Sequence, residues 1–197
     1  AVPAAGAVLH TLNIRLADDE VAWIAAHAED HVVVVDDHLV DRAAAWLPKV
    51  PSVRHVVVVG DGATGALDGL DLAVHRWDDL LADEPTTFDW PEPADERDAA
   101  ALCYTSGTTG RPRGVAYSHR SIWLHSLQLG SGEGYALTDR DRVLVVVPQF
   151  HAMAWGFPYT AFMVGCSLVM PGRFNDPQSL LAMLEQERPT YAAAVPT

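Results

Sequence analysis

The sequence predicts an α/β protein built from layered, mainly parallel sheets flanked by helices. Two valine-rich runs, Val32 to Val35 and His55 to Val59, lack the apolar–polar alternation of a half-exposed strand. Such runs belong to strands covered on both faces, as parallel sheets require. Segments with helical spacing lie around them, and 197 residues at 49% apolar content suffice for a sizeable core.

Asp18 to Glu29 opens with acids, which suit a helix N-terminus, and places Val21, Ile24, Ala25 and Ala28 on one face. His27 then falls on the surface. After the strand at Val32 to Val35, a second helix runs from Leu39 to Leu47 and stops at Pro48. The strand His55 to Val59 ends at Gly60-Asp61-Gly62, a loop reaches Gly69, and a short helix covers Trp77 to Ala82. Asp83 to Asp98, rich in proline and acid, reads as an exposed connector. The chain therefore divides into a first α/β segment, residues 1–98 with the connector at 83–98, and a second, residues 99–197.

The second segment starts with the apolar run Ala99 to Cys103, followed by a loop. Gly114 to Tyr117 is a brief strand, and Ser118 is the N-cap of a helix through Ile122, Trp123 and Leu127. Arg142 to Val147 is a strand, Phe157 to Val164 a helix, and Cys166 to Met170 a strand. Asp176-Pro177 caps and starts a helix whose Leu180, Leu181 and Leu184 face inward, Pro189 ends it, and Thr190 to Val195 begins one more strand.

The formal net charge of −13 argues against nucleic acid and anionic membrane surfaces as general partners. No apolar stretch approaches spanning length, so no integral membrane contact is expected. The start, Ala1-Val2-Pro3-Ala4-Ala5-Gly6, lacks the basic and apolar parts of a signal peptide, which predicts a cytoplasmic protein. Cys103 and Cys166 read as reduced thiols inside strands, and His27 with His31, or His119 with His125, come without partner carboxylates or thiols at metal-ligand spacing.

From Ala99 to Gly132 there is no Asp or Glu, while Arg111, Arg113, His119 and Arg120 gather there. Within that stretch, Tyr104-Thr105-Ser106-Gly107-Thr108-Thr109-Gly110-Arg111-Pro112-Arg113-Gly114 combines hydroxyls, glycines and arginines in one loop. Glycines let backbone N–H groups approach an anion, hydroxyls add short donors, and arginine supplies a charge that stays on. This is the composition of a phosphate-holding loop, although its spacing is neither that of a Walker A loop nor that of a dinucleotide fingerprint.

The loop resembles the signature of the adenylate-forming superfamily of acyl-CoA synthetases, luciferases and peptide-synthetase adenylation domains. The usual form is Tyr-Thr-Ser-Gly-Thr-Thr-Gly-x-Pro-Lys-Gly-Val, and Arg113 stands where lysine is usual. A second stretch, Val147-Pro148-Gln149-Phe150-His151-Ala152-Met153-Ala154-Trp155-Gly156, is similar to the superfamily's next motif in its fatty acyl-CoA synthetase form. The segment Gly6-Ala7-Val8-Leu9-His10-Thr11-Leu12-Asn13 also resembles that branch, in which it lies well inside the enzyme.

The resemblance implies specific roles. Thr105, Ser106, Gly107, Thr108, Thr109 and Gly110 would wrap the β- and γ-phosphates of ATP, with Thr108 at a Mg2+ ion and Arg113 as a catalytic charge. His151 would line the place where the activated carboxyl meets the thiol of coenzyme A, and Trp155 with Gly156 would border the acyl site. A carboxylic acid, ATP and coenzyme A are thus the implied small-molecule partners. The family's adenine-binding part and C-terminal domain find no match in these residues, so the chain is expected to be an internal fragment of an AMP-forming fatty acid–CoA ligase, inactive alone, whose exposed strand edges predict a homodimer. The alternatives are a synthetase for short, sulfur-containing or aryl acids, or a non-catalytic nucleotide-binding or assembly module, which Arg113 favours.

Overall fold

The computed structural model describes residues 1–92, 95–105 and 110–194. The chain forms two compact units, one of Ala1–Thr11 with Pro91–Thr197, the other Leu12–Trp90. The two-residue strand β1 (Leu9–His10) belongs to the former.

In the unit Leu12–Trp90, helix α1 (Asp18–His27) precedes β2 (Val32–Asp36), α2 (Val40–Trp46), β3 (His55–Val59), β4 (Ala73–Arg76) and α3 (Trp77–Leu81). The three strands are all parallel, in the order β2-β3-β4. As the sequence predicts, α1 buries Val21, Ile24 and Ala25, carries Asp18, Asp19 and Glu20 in its first turn, and leaves His27 exposed against the Trp23 ring. The core joins Val33, Val35, Val56 and Val58 to Val40 and Trp46.

The structure departs from the sequence reading at β2 and adds β4. Central β3 buries Val56, Val57 and Val58 together, but β2 alternates, with Val32 and Val34 54% and 56% exposed. A continuous valine run thus marks a doubly covered strand only where both faces have neighbours. α2 stops before Pro48 as expected, at Trp46, and Pro48 itself sits in a 3-10 turn, Leu47–Lys49. Strand β4, four residues with His75 and Arg76 at its end, had no strong sequence signal.

In the other unit, β5 (Ala99–Thr105) lies between parallel β1 and antiparallel β6 (Arg113–Ser118). Ser118 Oγ accepts the Ser121 N–H at 3.1 Å and starts α4 (His119–Gly130), the predicted cap. A second, wholly parallel sheet has the order β8-β7-β9, from β7 (Arg142–Val145), β8 (Ser167–Val169) and β9 (Tyr191–Ala193). The left-handed turn α5 (Ala152–Trp155), α6 (Phe157–Val164) and α7 (Pro177–Glu187) form the connections. Val143, Val145, Val147 and Phe157 pack together, with Tyr135 stacked on Phe157 at 5.2 Å.

Asp176 caps α7 as predicted, its carboxylate accepting the N–H groups of Gln178 and Ser179. The predicted inner face is only partly right: Leu180 is half-buried, but Leu181 and Leu184 are 56% and 45% exposed, while Met183 is half-buried. Cys103 is buried in β5, whereas Cys166 lies one residue before β8 and is half-buried.

Candidate functional site

The phosphate-loop sequence closes a hairpin. Thr105 pairs with Arg113 and Tyr104 with Gly114 across β5 and β6, so the loop leaves and returns at two exposed residues set side by side. Ser106, Gly107, Thr108 and Thr109, with their expected phosphate and metal roles, lie outside the described residues. Gly110 has φ +119° with open space around its Cβ position, so backbone conformation alone demands glycine there. At Gly114 the reason is contact: a Cβ would come within 3.1 Å of the Tyr104 ring. That ring also lies 5.3 Å from the ring of His10 on β1.

The cationic group is less uniform than the sequence implies. Arg111 and Arg113 are exposed; Arg120, on α4, forms an ion pair with Glu96 at 2.8 Å, and its backbone N–H donates to the Glu96 carbonyl. The His119 N–H donates to the Asp98 carbonyl. The carboxylate that pairs with Arg120 thus comes from Glu96, at the end of the connector, and Asp98 contributes only its main-chain carbonyl.

The second motif follows β7. In the order β8-β7-β9 the chain leaves β7 to one side and returns on the other, which makes the carboxyl end of β7 a topological switch point, where open α/β sheets bind ligands. Pro148 to Gly156 occupies that position. Ala152, Met153, Ala154 and Trp155 have φ between +47° and +55°, a left-handed turn built without glycine. His151 is exposed before it, Met153 and Ala154 are buried within it, and Trp155 is half-buried.

Gly156 ends the turn at φ +77°, where a Cβ would stand 2.6 Å from Cδ2 of His125 on α4. The His125 ring uses that space to bring Nε2 within 3.2 Å of the Trp155 carbonyl. A carbonyl only accepts, so Nε2 carries the proton.

The two motifs meet through packing. Met153 shares a buried cluster with Ala101 and Cys103 of β5, edged by Leu9, Tyr117, Ile122 and Tyr159. Burial, with a smaller contribution from Cys103, pushes the Tyr117 and Tyr159 phenols above their ordinary range, so both stay neutral near pH 7. The buried Tyr159 hydroxyl has no hydrogen-bond partner among the described residues. Sequence reasoning did not single out His125 or Tyr159. Helical spacing could have set His125 on a face of α4, but nothing in the sequence names its partner.

Among the described residues, Asp36, Asp37 and His38 are the one group with potential metal-ligand atoms all within 4.8 Å. They lie at the end of β2, where Asp37 already accepts the Gly62 N–H at 2.8 Å and His38 Nδ1 sits 2.9 Å from Asp36. No helix of the described residues is long and apolar enough to cross a membrane.

Comparison with known proteins places the chain in a family. The family model described as AMP-binding enzyme matches residues 1–197. The chain is 43% identical to a long-chain-fatty-acid–CoA ligase of Thermus thermophilus, covering all of this chain and 34% of that protein. It is 41% identical to a medium-chain-fatty-acid–CoA ligase of Ectopseudomonas oleovorans and 39% identical to a 3-methylmercaptopropionyl-CoA ligase of Ruegeria pomeroyi, in each case over 100% of this chain and 36% of the relative. The chain thus spans about a third of the length of these relatives. Among solved structures, a long-chain-fatty-acid-CoA ligase from Archaeoglobus fulgidus superposes with TM-score 0.79 at 26% identity, covering 98% of this chain and 36% of that one. This chain belongs to the AMP-binding enzyme family.

Proposed function

We propose that the protein containing this chain activates a fatty acid with ATP, releasing pyrophosphate, and passes the acyl group from the acyl-adenylate to the thiol of coenzyme A. The observation that carries this reading is the shared cluster of Met153 with Ala101 and Cys103: it sets the turn of His151 and Trp155 against the strand that opens into the phosphate loop. The named activities of the relatives support it.

The physical task is to bring two anions together. A carboxylate attacks the α-phosphorus only when the triphosphate is neutralised and the reacting atoms are aligned. In this reading Thr105 to Gly110 hold the β- and γ-phosphates, and Arg113, at the loop's return, adds a fixed positive charge. Magnesium, with Thr108 among its ligands, supplies further charge neutralisation when bound. His151 lines the meeting place of acyl group and thiol, and Trp155 with Gly156 borders the acyl chain. The proposal includes a cytoplasmic setting and a homodimer, which light scattering of the parent protein checks.

Carboxylate-dependent exchange of labelled pyrophosphate into ATP tests the reading, with acids from acetate to palmitate and 3-methylmercaptopropionate. Exchange that peaks at a medium or long chain supports it. A peak at the sulfur-containing acid turns the reading to the activity for which the Ruegeria relative is named. Mg-ATP binding without exchange on any acid favours a non-catalytic nucleotide-binding module, to which Arg113 in place of lysine points.

A further inference from the structure

Four successive non-glycine residues in the left-handed region are costly, roughly 1–2 kcal/mol each relative to right-handed backbone. Such a turn persists where its surroundings over-determine it. His125 and Gly156 hold the downstream end of α5. The upstream end is met by Thr11, the residue after β1, from a part of the chain far away in sequence.

Thr11 Oγ1 lies 3.1 Å from the Gln149 carbonyl, 3.6 Å from Cys103 Sγ and 3.7 Å from Met153 Sδ. A hydroxyl has one proton and a carbonyl can only accept, so the Thr11 O–H donates to Gln149. Cys103 S–H is then the donor to Oγ1, and the Met153 thioether rests against the same oxygen. One atom therefore joins the segment entering the left-handed turn, a residue within the turn, and β5 two residues before Thr105.

We propose that Thr11 is a positioning residue: its hydroxyl sets the turn, and with it His151 and Trp155, in register with the strand that opens into the phosphate loop. Its kinetic consequence rests on the acyl-activating reading above. Loss of the hydroxyl loosens the acyl side of the site while the nucleotide side, held by the β5–β6 hairpin, keeps its geometry.

The parent protein carrying fluorotryptophan is compared by fluorine NMR as wild type, Thr11→Val and Thr11→Ser, with Trp155→Phe identifying the Trp155 line. Wild type and Thr11→Ser are expected to show one Trp155 line at the same position, and Thr11→Val, nearly the same shape without the hydroxyl, a displaced or split line. Thr11→Val is also expected to raise the KM for the acid about fivefold to tenfold, the size of one net hydrogen bond, with the KM for ATP unchanged. An unchanged Trp155 line in Thr11→Val overturns the proposal, as does an equal disturbance by Thr11→Ser or a KM for ATP that rises with that for the acid. If Thr11→Val does not fold, Thr11→Ala takes its place. A wild type without pyrophosphate exchange on any acid removes the functional reading, and the fluorine line still decides on Thr11.

Discussion

Thr105 and Arg113 stand opposite each other as the last antiparallel pair of the β5–β6 hairpin. The loop between them therefore leaves and returns at one point, and Arg113 is fixed at its base by strand pairing. Strand pairing thus fixes the backbone from which its side chain extends. Arg113→Gln is expected to lower the pyrophosphate exchange rate of the parent protein about tenfold or more, the scale of one charge-assisted bond. Arg113→Lys, which restores a compact cation, is expected to keep the rate within a few-fold. Equal rates for all three proteins would remove Arg113 from the site.

Gly156→Ala meets two obstacles. The backbone there has φ +77°, and the new Cβ would fall 2.6 Å from the His125 ring. His125 is exposed and can swing aside, but only by giving up the Trp155 carbonyl. A loss of about 1–2 kcal/mol is expected from the backbone alone. Denaturant unfolding of wild type and variant measures it, and no loss would mean that the left-handed turn is not the native conformation.

Asp141 gives a pH signature. It accepts hydrogen bonds from the Thr138 N–H, from Thr190 Oγ1 and from Thr138 Oγ1, which together hold its carboxyl below the ordinary value. A folded-state pKa depressed in this way means that the stabilisation is fully present above the unfolded-state pKa and is lost as pH falls through the folded one. Asp141→Ala is therefore expected to lower Tm at neutral pH, with the gap to wild type closing in acid. Thermal melts across a pH series check this, and a gap that widens in acid would contradict it.

How far the sequence reaches depends on how local the cause is. Helix α6, Phe157–Val164, was legible to the residue because glycines bracket an apolar helical run, and Ser118 and Asp176 were legible as caps because their short side chains bond the next turn. The exposure of Val32 and Val34 was not, since it depends on which elements cover each face of β2. Nor was the exposure of Leu181 and Leu184, which helical periodicity alone placed on the core side. Within the candidate site, the stretch that holds His151 and Trp155 and the stretch that follows β5 were recognisable as motifs by resemblance. The left-handed turn was not, because Ala152 to Trp155 contain no glycine to announce positive φ. Its supports, Thr11 and His125, come from elements 142 and 30 residues away in the chain and appear only when these are folded together.

The most direct measurement weighs the products. The parent protein is incubated with Mg-ATP, coenzyme A and a medium- or long-chain acid, and the nucleotide and thioester products are quantified by mass spectrometry. AMP, pyrophosphate and acyl-CoA in equal amounts, with acyl-adenylate accumulating when coenzyme A is withheld, are expected. ADP and inorganic phosphate, or no acid-dependent turnover of ATP, would contradict an acyl-adenylate mechanism at this site.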